Sequence, residues 1–219
     1  MAFSALIRGL PPRLPVVTYG VAILSVLVFV GEALNRHAVF ALLVNPVRDL
    51  PEAGWWAILA TTVVHGSVAH LAFNLLAFRA LGAVVEQTIG PIRYFVLLLA
   101  LAWVSSSYQL GLERVVGIGL SGVIYGIFGY MLGACPRDPT FRWYVRQNYK
   151  VVIGWAVVCV VLTQMKILGI ANTAHFSGLF FGALCGLTEG LPRWRWVFRA
   201  LALAAMVAAV PMIWAAAAG

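Results

Sequence analysis

Four polar side chains stand inside otherwise apolar stretches of this chain: His70 and Asn74 in one, Ser121 in a second and His175 in a third. A serine hydroxyl is a weak nucleophile until a base takes its proton, and an imidazole does that near neutral pH. Attack on a carbonyl then builds a negatively charged oxygen that needs hydrogen-bond donors. A second histidine, an asparagine carboxamide and backbone N–H groups at a helix start can supply them. These are the residue types of an acyl-transfer site in which Ser121 attacks and His175 moves the proton. Each also has a plainer reading, since lipid-embedded helices tolerate serine and use histidine as polar glue. Convergence of all four decides between the two.

The elements that would position them are marked by glycine. Ser121 opens an apolar run with Gly122, Gly126, Gly129 and Gly133, spacings that draw one stripe down a helix. Each glycine inside a helix costs about 1 kcal/mol relative to alanine, so the stripe predicts a second backbone lying very close. The helix of His175 carries its own stripe at Gly178, Gly182, Gly186 and Gly190. Pressed together, the two helices would bring Ser121 and His175 within hydrogen-bond reach. Depth agrees. Ser121 lies roughly 22 Å above Pro136, His175 roughly 21 Å above Glu189 and Asn74 about 18 Å above Glu86, at 1.5 Å per helical residue. In a hydrocarbon layer about 30 Å thick, all three sit at nearly one level, with His70 one turn above Asn74.

Composition fixes the class. Of 219 residues, 63% are hydrophobic and only 10% charged, and the mean hydropathy is +0.95. This is an all-α, polytopic membrane helix bundle read as one domain over 1–219. The net charge of +8 comes from short clusters between apolar runs, a loop pattern rather than a nucleic-acid groove. Cys135, Cys159 and Cys185 show no metal or redox spacing and read as packing residues.

Seven spans are expected. Leu14–Gly31 follows the basic segment with Arg8 and Arg13 and lacks a signal cleavage site, so it reads as an uncleaved first helix. Residues 33–64 mix Arg36, Arg48, Asp49 and Glu52 with Phe40, Trp55 and Trp56, as a segment lying in the membrane interface does. Helices are expected at His65–Glu86, at Arg93–Glu113 and from Ser121 to Pro136. After a basic loop with Arg137, Arg142, Arg146 and Lys150 come Val151–Met165, Asn172–Glu189 and Ala200–Ala218. With the N-terminus in the cytoplasm, the loops on that side hold most arginines and lysines, including Arg93, Arg193, Arg195 and Arg199. The other side holds Arg36, Arg48, Arg114 and Lys166. Arg79, inside an apolar run, is expected to snorkel.

Rival chemistries fall away. The only aspartates, Asp49 and Asp138, lie in expected loops, so an aspartyl pair within the membrane is excluded. No His-Glu-x-x-His run exists, and Val123 occupies the second-glycine position of a Gly-x-Ser-x-Gly elbow. Nothing suggests the inverted repeats of a transporter.

Three motifs carry a resemblance: His70-Leu-Ala-Phe-Asn74, Gly119-Leu-Ser121-Gly122-Val-Ile-Tyr125-Gly126 and Ala174-His175-Phe-Ser-Gly178-Leu-Phe-Phe-Gly182. Over roughly residues 16–190 the chain resembles the rhomboid intramembrane serine proteases. The resemblance implies Ser121 as nucleophile and His175 as base without a third acid. It implies an oxyanion hole from His70, Asn74 and the Ser121 amide, and Tyr125 stacked near His175. His65, Gly119 and Gly122 fall on supporting positions, and Glu86 is expected to pair with Arg137. The implied substrates are transmembrane proteins cut near the external end of a helix. The implied setting is a bacterial inner membrane, with the lipid bilayer as the other partner and neither cofactor, metal nor nucleic acid. Two features depart from the pattern. The family's Trp-Arg pair appears as Trp56-Ala57, and residues 191–219 add a seventh helix to a six-helix core over 1–190. The alternative function is a non-cleaving binder of transmembrane segments.

Overall fold

The computed structural model describes residues 14–49 and 55–217. The N-terminal segment with Arg8 and Arg13, and also Glu52 and Ala218, lie outside them. Among the described residues there are eight α-helices and no strand: α1 (Val16–Leu43), α2 (Trp56–Ala60), α3 (Val68–Ile89), α4 (Pro91–Glu113), α5 (Ser121–Ala134), α6 (Pro139–Gln164), α7 (Asn172–Gly190) and α8 (Arg195–Ala217). Of these, α1, α3, α4, α6 and α8 are long and apolar enough to cross a membrane. The protein is a polytopic helical membrane protein. The two glycine helices fall short of that standard: α5 has only 14 residues, and α7 carries Asn172, Thr173, His175, Ser177, Thr188 and Glu189.

The short helix α5 is the axis of the bundle. All its residues except Ser121 and Leu132 are buried, as a helix apolar on every side requires. Its closest neighbour is α7, and the glycines explain why. A Cβ on Gly178 would collide with the Gly122 carbonyl oxygen, one on Gly182 with that of Gly126, and one on Gly190 with that of Gly133. Phe78, Leu101, Ile127 and Phe181, from α3, α4, α5 and α7, fill the main core. A second, smaller cluster of Val47, Ala57, Ile58, Leu110 and Ile213 lies apart from it. Leu24, Leu27, Phe73 and Leu76 face outward into the surroundings, where lipid replaces water.

Helix α1 turns three polar residues inward. Thr18, Ser25 and Glu32, seven apart, are its buried positions. It runs beyond the expected end at Gly31, breaking at Asn35 (φ −152°, ψ 84°). The Asn35 Oδ1 accepts the Ala38 N–H at 3.0 Å and so caps the second piece. The interface segment is thus largely helical: the end of α1, a 3₁₀ turn at Asn45–Asp49, α2 and a 3₁₀ turn at Thr61–Val63.

Three other expectations are corrected. The basic stretch after Pro136 is not a loop, because α6 begins at Pro139. Asp138 Oδ1 accepts the N–H groups of Thr140 and Phe141 at 2.8 and 3.0 Å, with proline at the first helical position. Arg142 points back and donates to the carbonyls of Cys135 and Pro136, at 3.1 and 2.6 Å, where the end of α5 attracts positive charge. Glu86 does not pair with Arg137 either. Its carboxylate, 2% exposed, accepts the N–H of Val17 at 2.9 Å and the N–H and hydroxyl of Thr18 at 2.8 and 2.7 Å. The free donors at the start of α1 and the positive end of its dipole outcompete a solvated guanidinium. Arg79 is exposed on α3, and α8 starts at Arg195, five residues before the expected Ala200.

Candidate active site

Ser121 is the first residue of α5, where backbone N–H groups have no carbonyl of their own helix to bind. The loop ahead of it is pinned twice. The Gly119 N–H donates to the Thr61 carbonyl at 3.0 Å, and the Leu120 N–H reaches His65 Nε2 at 3.5 Å. His65 is wholly buried, its Nδ1 lies 3.1 Å from the Val63 carbonyl, and its own N–H donates to Glu32 at 2.8 Å. With its ring proton on Nδ1, Nε2 is left to accept. That requires a neutral imidazole, and burial, assisted by the neighbouring His70, pushes its pKa down to about 4, against a smaller upward effect of the Val63 bond.

Residue 119 has to be glycine for two reasons. Its φ is +98°, and a Cβ there would stand 2.7 Å from the His70 ring. This contact places the His70 ring against Gly119, two residues ahead of Ser121 along the chain. His70 lies in the first turn of α3, where its N–H donates to the hydroxyl of the N-cap Ser67 at 3.2 Å. One turn on, Asn74 is buried, and its Nδ2 donates to the His70 carbonyl at 2.8 Å. Its Oδ1 is buried without a partner.

His175 enters from α7. Its Nε2 lies 2.7 Å from Ser121 Oγ. Its ring stacks on Tyr125, with centroids 4.6 Å apart and planes at 15°. Its Nδ1 is buried with no hydrogen-bond partner. The packing that permits this is Gly122, whose absent Cβ leaves Ser105 Oγ only 2.9 Å and the Ala174 carbonyl oxygen 3.2 Å from where it would stand. The arrangement can pass the Ser121 hydroxyl proton to Nε2 while the stacked tyrosine, rather than a carboxylate, holds the ring.

His65, His70, Gly119, Ser121, Gly122, Tyr125 and His175 thus gather at one end of α5, and Asn74 lies one turn along α3 from His70. Sequence reasoning missed three: Glu32, Thr61 and Gln109, whose Oε1 accepts the Ala174 N–H at 3.1 Å beside His175. Gln109 carried a signal, being an amide in a membrane run. Thr61 acts through its backbone carbonyl and carried none.

Two comparisons bear on this geometry. Residues 52–191 match the rhomboid domain family. The chain is also 26% identical over 188 residues to rhomboid protease GluP of Bacillus subtilis (strain 168), an alignment covering 82% of this chain and 36% of that relative. The chain therefore spans about a third of the length of that curated relative.

Proposed function

This chain belongs to the rhomboid family, and on that premise we propose that it is an intramembrane serine endopeptidase working through a Ser121–His175 dyad. The observation that carries the reading is the 2.7 Å separation of His175 Nε2 from Ser121 Oγ, with the His175 ring buried and Ser121 half-buried. His175 takes the hydroxyl proton as Oγ attacks the scissile carbonyl, then returns it to the leaving amine. His70, the free N–H of the Asn74 amide and the backbone N–H of Ser121 stabilise the tetrahedral oxygen. Water then hydrolyses the acyl-enzyme by the same proton path in reverse.

The substrate is a transmembrane helix cut near one membrane surface, because α5 is only 14 residues long and Ser121 stands at its end. Such a helix hides its carbonyls in its own hydrogen bonds, so glycine or proline near the cut eases the unwinding. Approach has to be lateral. On the flank where α3 faces α6, the rings of Phe73 and Trp155 lie 5.8 Å apart, both exposed. Within α6 only Phe141 and Cys159 are buried. The proposed topology has seven spans, a six-helix core followed by α8, with the N-terminus cytoplasmic and the site opening to the external side of a bacterial inner membrane.

Purified protein in liposomes, incubated with a panel of single-span proteins, tests this. Fragments cut near the external end of the span by wild type, and not by Ser121→Ala, support it. Binding of those spans without cutting would replace the protease by a non-cleaving binder.

A further inference from the structure

The match to the rhomboid domain ends at residue 191, so α8 lies beyond it, and the proposed chemistry does not use that helix. Its contacts nevertheless converge on the site. Pro211 lies inside α8, where its ring replaces the N–H that would have bonded to the Val207 carbonyl. The turn that follows, Met212 to Trp214, packs on two elements at once. Ile213, 1% exposed, completes the small cluster with Ile58 of α2 and Leu110 of α4. Trp214 meets Trp55 edge-on, with centroids 6.4 Å apart, and Trp55 meets Trp103 of α4 at 5.7 Å.

Both elements lead to the reacting pair. Trp55 immediately precedes α2, which runs directly into the Thr61–Val63 turn. That turn supplies the carbonyl that binds the Gly119 N–H, and through Val63 it orients the His65 ring that receives the Leu120 N–H. On α4, Gly111 is pressed against α8 so closely that a Cβ would stand 3.1 Å from the Met212 carbonyl oxygen. Two residues earlier, Gln109 holds the Ala174 N–H next to His175. The outer turn of α8 therefore braces the loop ahead of Ser121 and the start of the helix that carries His175.

We propose that this turn, with Trp214 and Ile213 bearing on Trp55 and Ile58, is a positioning element that sets the height of the loop before Ser121 and hence the register of Ser121 Oγ against His175 Nε2. The proposal rests on the serine-protease reading above. It assigns α8 an effect on the rate of attack rather than on substrate binding. A displacement of the nucleophile by about 1 Å costs on the order of 100-fold in rate.

Trp214→Ala in the full chain tests it, because Trp214 is half-exposed and its loss leaves the buried cluster filled. Trp196→Ala, at the opposite and highly exposed end of the same helix, is the control. In liposomes with a single-span substrate, kcat should fall about 10- to 100-fold with KM unchanged. The rate constant for covalent labelling by a fluorophosphonate should fall by the same factor, with the final labelled fraction unchanged. Trp214→Phe should recover most of the rate, and Trp196→Ala should match wild type. A reduced labelled fraction at an unaltered rate constant would mean that α8 serves only stability, and would overturn the proposal. If Trp214→Ala does not fold, Ile213→Val takes its place with the same readouts, and a wild-type rate constant there overturns the proposal. Wild type that cuts and labels while Trp214→Ala equals it removes only this proposal. Wild type that does neither removes the protease reading as well.

Discussion

Glu86 accepts both the backbone N–H and the hydroxyl of Thr18, at 2.8 and 2.7 Å, and in doing so ties the end of α3 to the start of α1. A buried carboxylate engaged this way is a structural fastener far along α3 from Asn74 and His70. Glu86→Gln and Thr18→Val should each lower unfolding stability by about 1–3 kcal/mol. Neither should change the turnover of the molecules that remain folded. Arg137→Gln should be near neutral, since among the described residues no ion pair joins it to Glu86. Thermal unfolding in detergent, paired with turnover normalised to labelled protein, checks all three. A loss confined to turnover would move Glu86 into the site.

The glycine faces make a graded prediction. Gly182→Ala puts a methyl group into the Gly126 carbonyl oxygen, backbone against backbone, with no side chain to move aside. It should destabilise by about 1–3 kcal/mol and slow cleavage by separating Ser121 from His175. Gly154→Ala on α6 and Gly20→Ala on α1 meet open space, and should be neutral or stabilising by up to about 1 kcal/mol. Equal effects at the three positions in a thermal-shift series would contradict the close α5–α7 approach.

Those stripes were legible in the sequence because backbone proximity leaves a local mark: only glycine fits, and it recurs at helical spacing. The meeting of Ser121 with His175 was legible for a similar reason, since helical rise converts residue count into depth. Side-chain partners across the bundle left no such mark. Glu86 carries nothing in its neighbourhood that points to Thr18, 68 residues away, and Thr61 contributes a carbonyl that every residue has. The start of α6 was legible and was overridden. Asp138-Pro139 is a helix-start signal, but the arginines that follow give the stretch the composition of a basic loop.

His65 gives a pH prediction of definite sign. Its folded pKa of about 4 lies below the ordinary 6.5, so between those values the unfolded chain binds the extra proton. The stability contributed is fully present above pH 6.5 and is lost as pH falls toward 4. Replacing the ring with a group that does not titrate, as in His65→Gln, should flatten the fall in Tm over that interval while lowering Tm at pH 7.5. An unchanged pH slope would mean that His65 is protonated in the folded protein.

Asn74 separates an oxyanion donor from a packing residue. One N–H of its amide is spent on the His70 carbonyl, leaving the other for a developing negative charge. Loss of one such donor costs about 10²–10³ in rate, and with His70 and the Ser121 N–H still present, Asn74→Ala should fall near about 100-fold. KM and the melting temperature should shift little. Wild-type turnover in Asn74→Ala would leave only a packing role.

The dyad is tested most directly by covalent labelling read as intact mass. A serine-directed fluorophosphonate added to the purified protein should attach once to wild type, at Ser121. It should not attach to Ser121→Ala, and its rate of attachment should collapse in His175→Ala, because on the proposed reading His175 Nε2, 2.7 Å from Oγ, is the base that activates it. Labelling of wild type at another residue, or an undiminished rate in His175→Ala, would contradict the account.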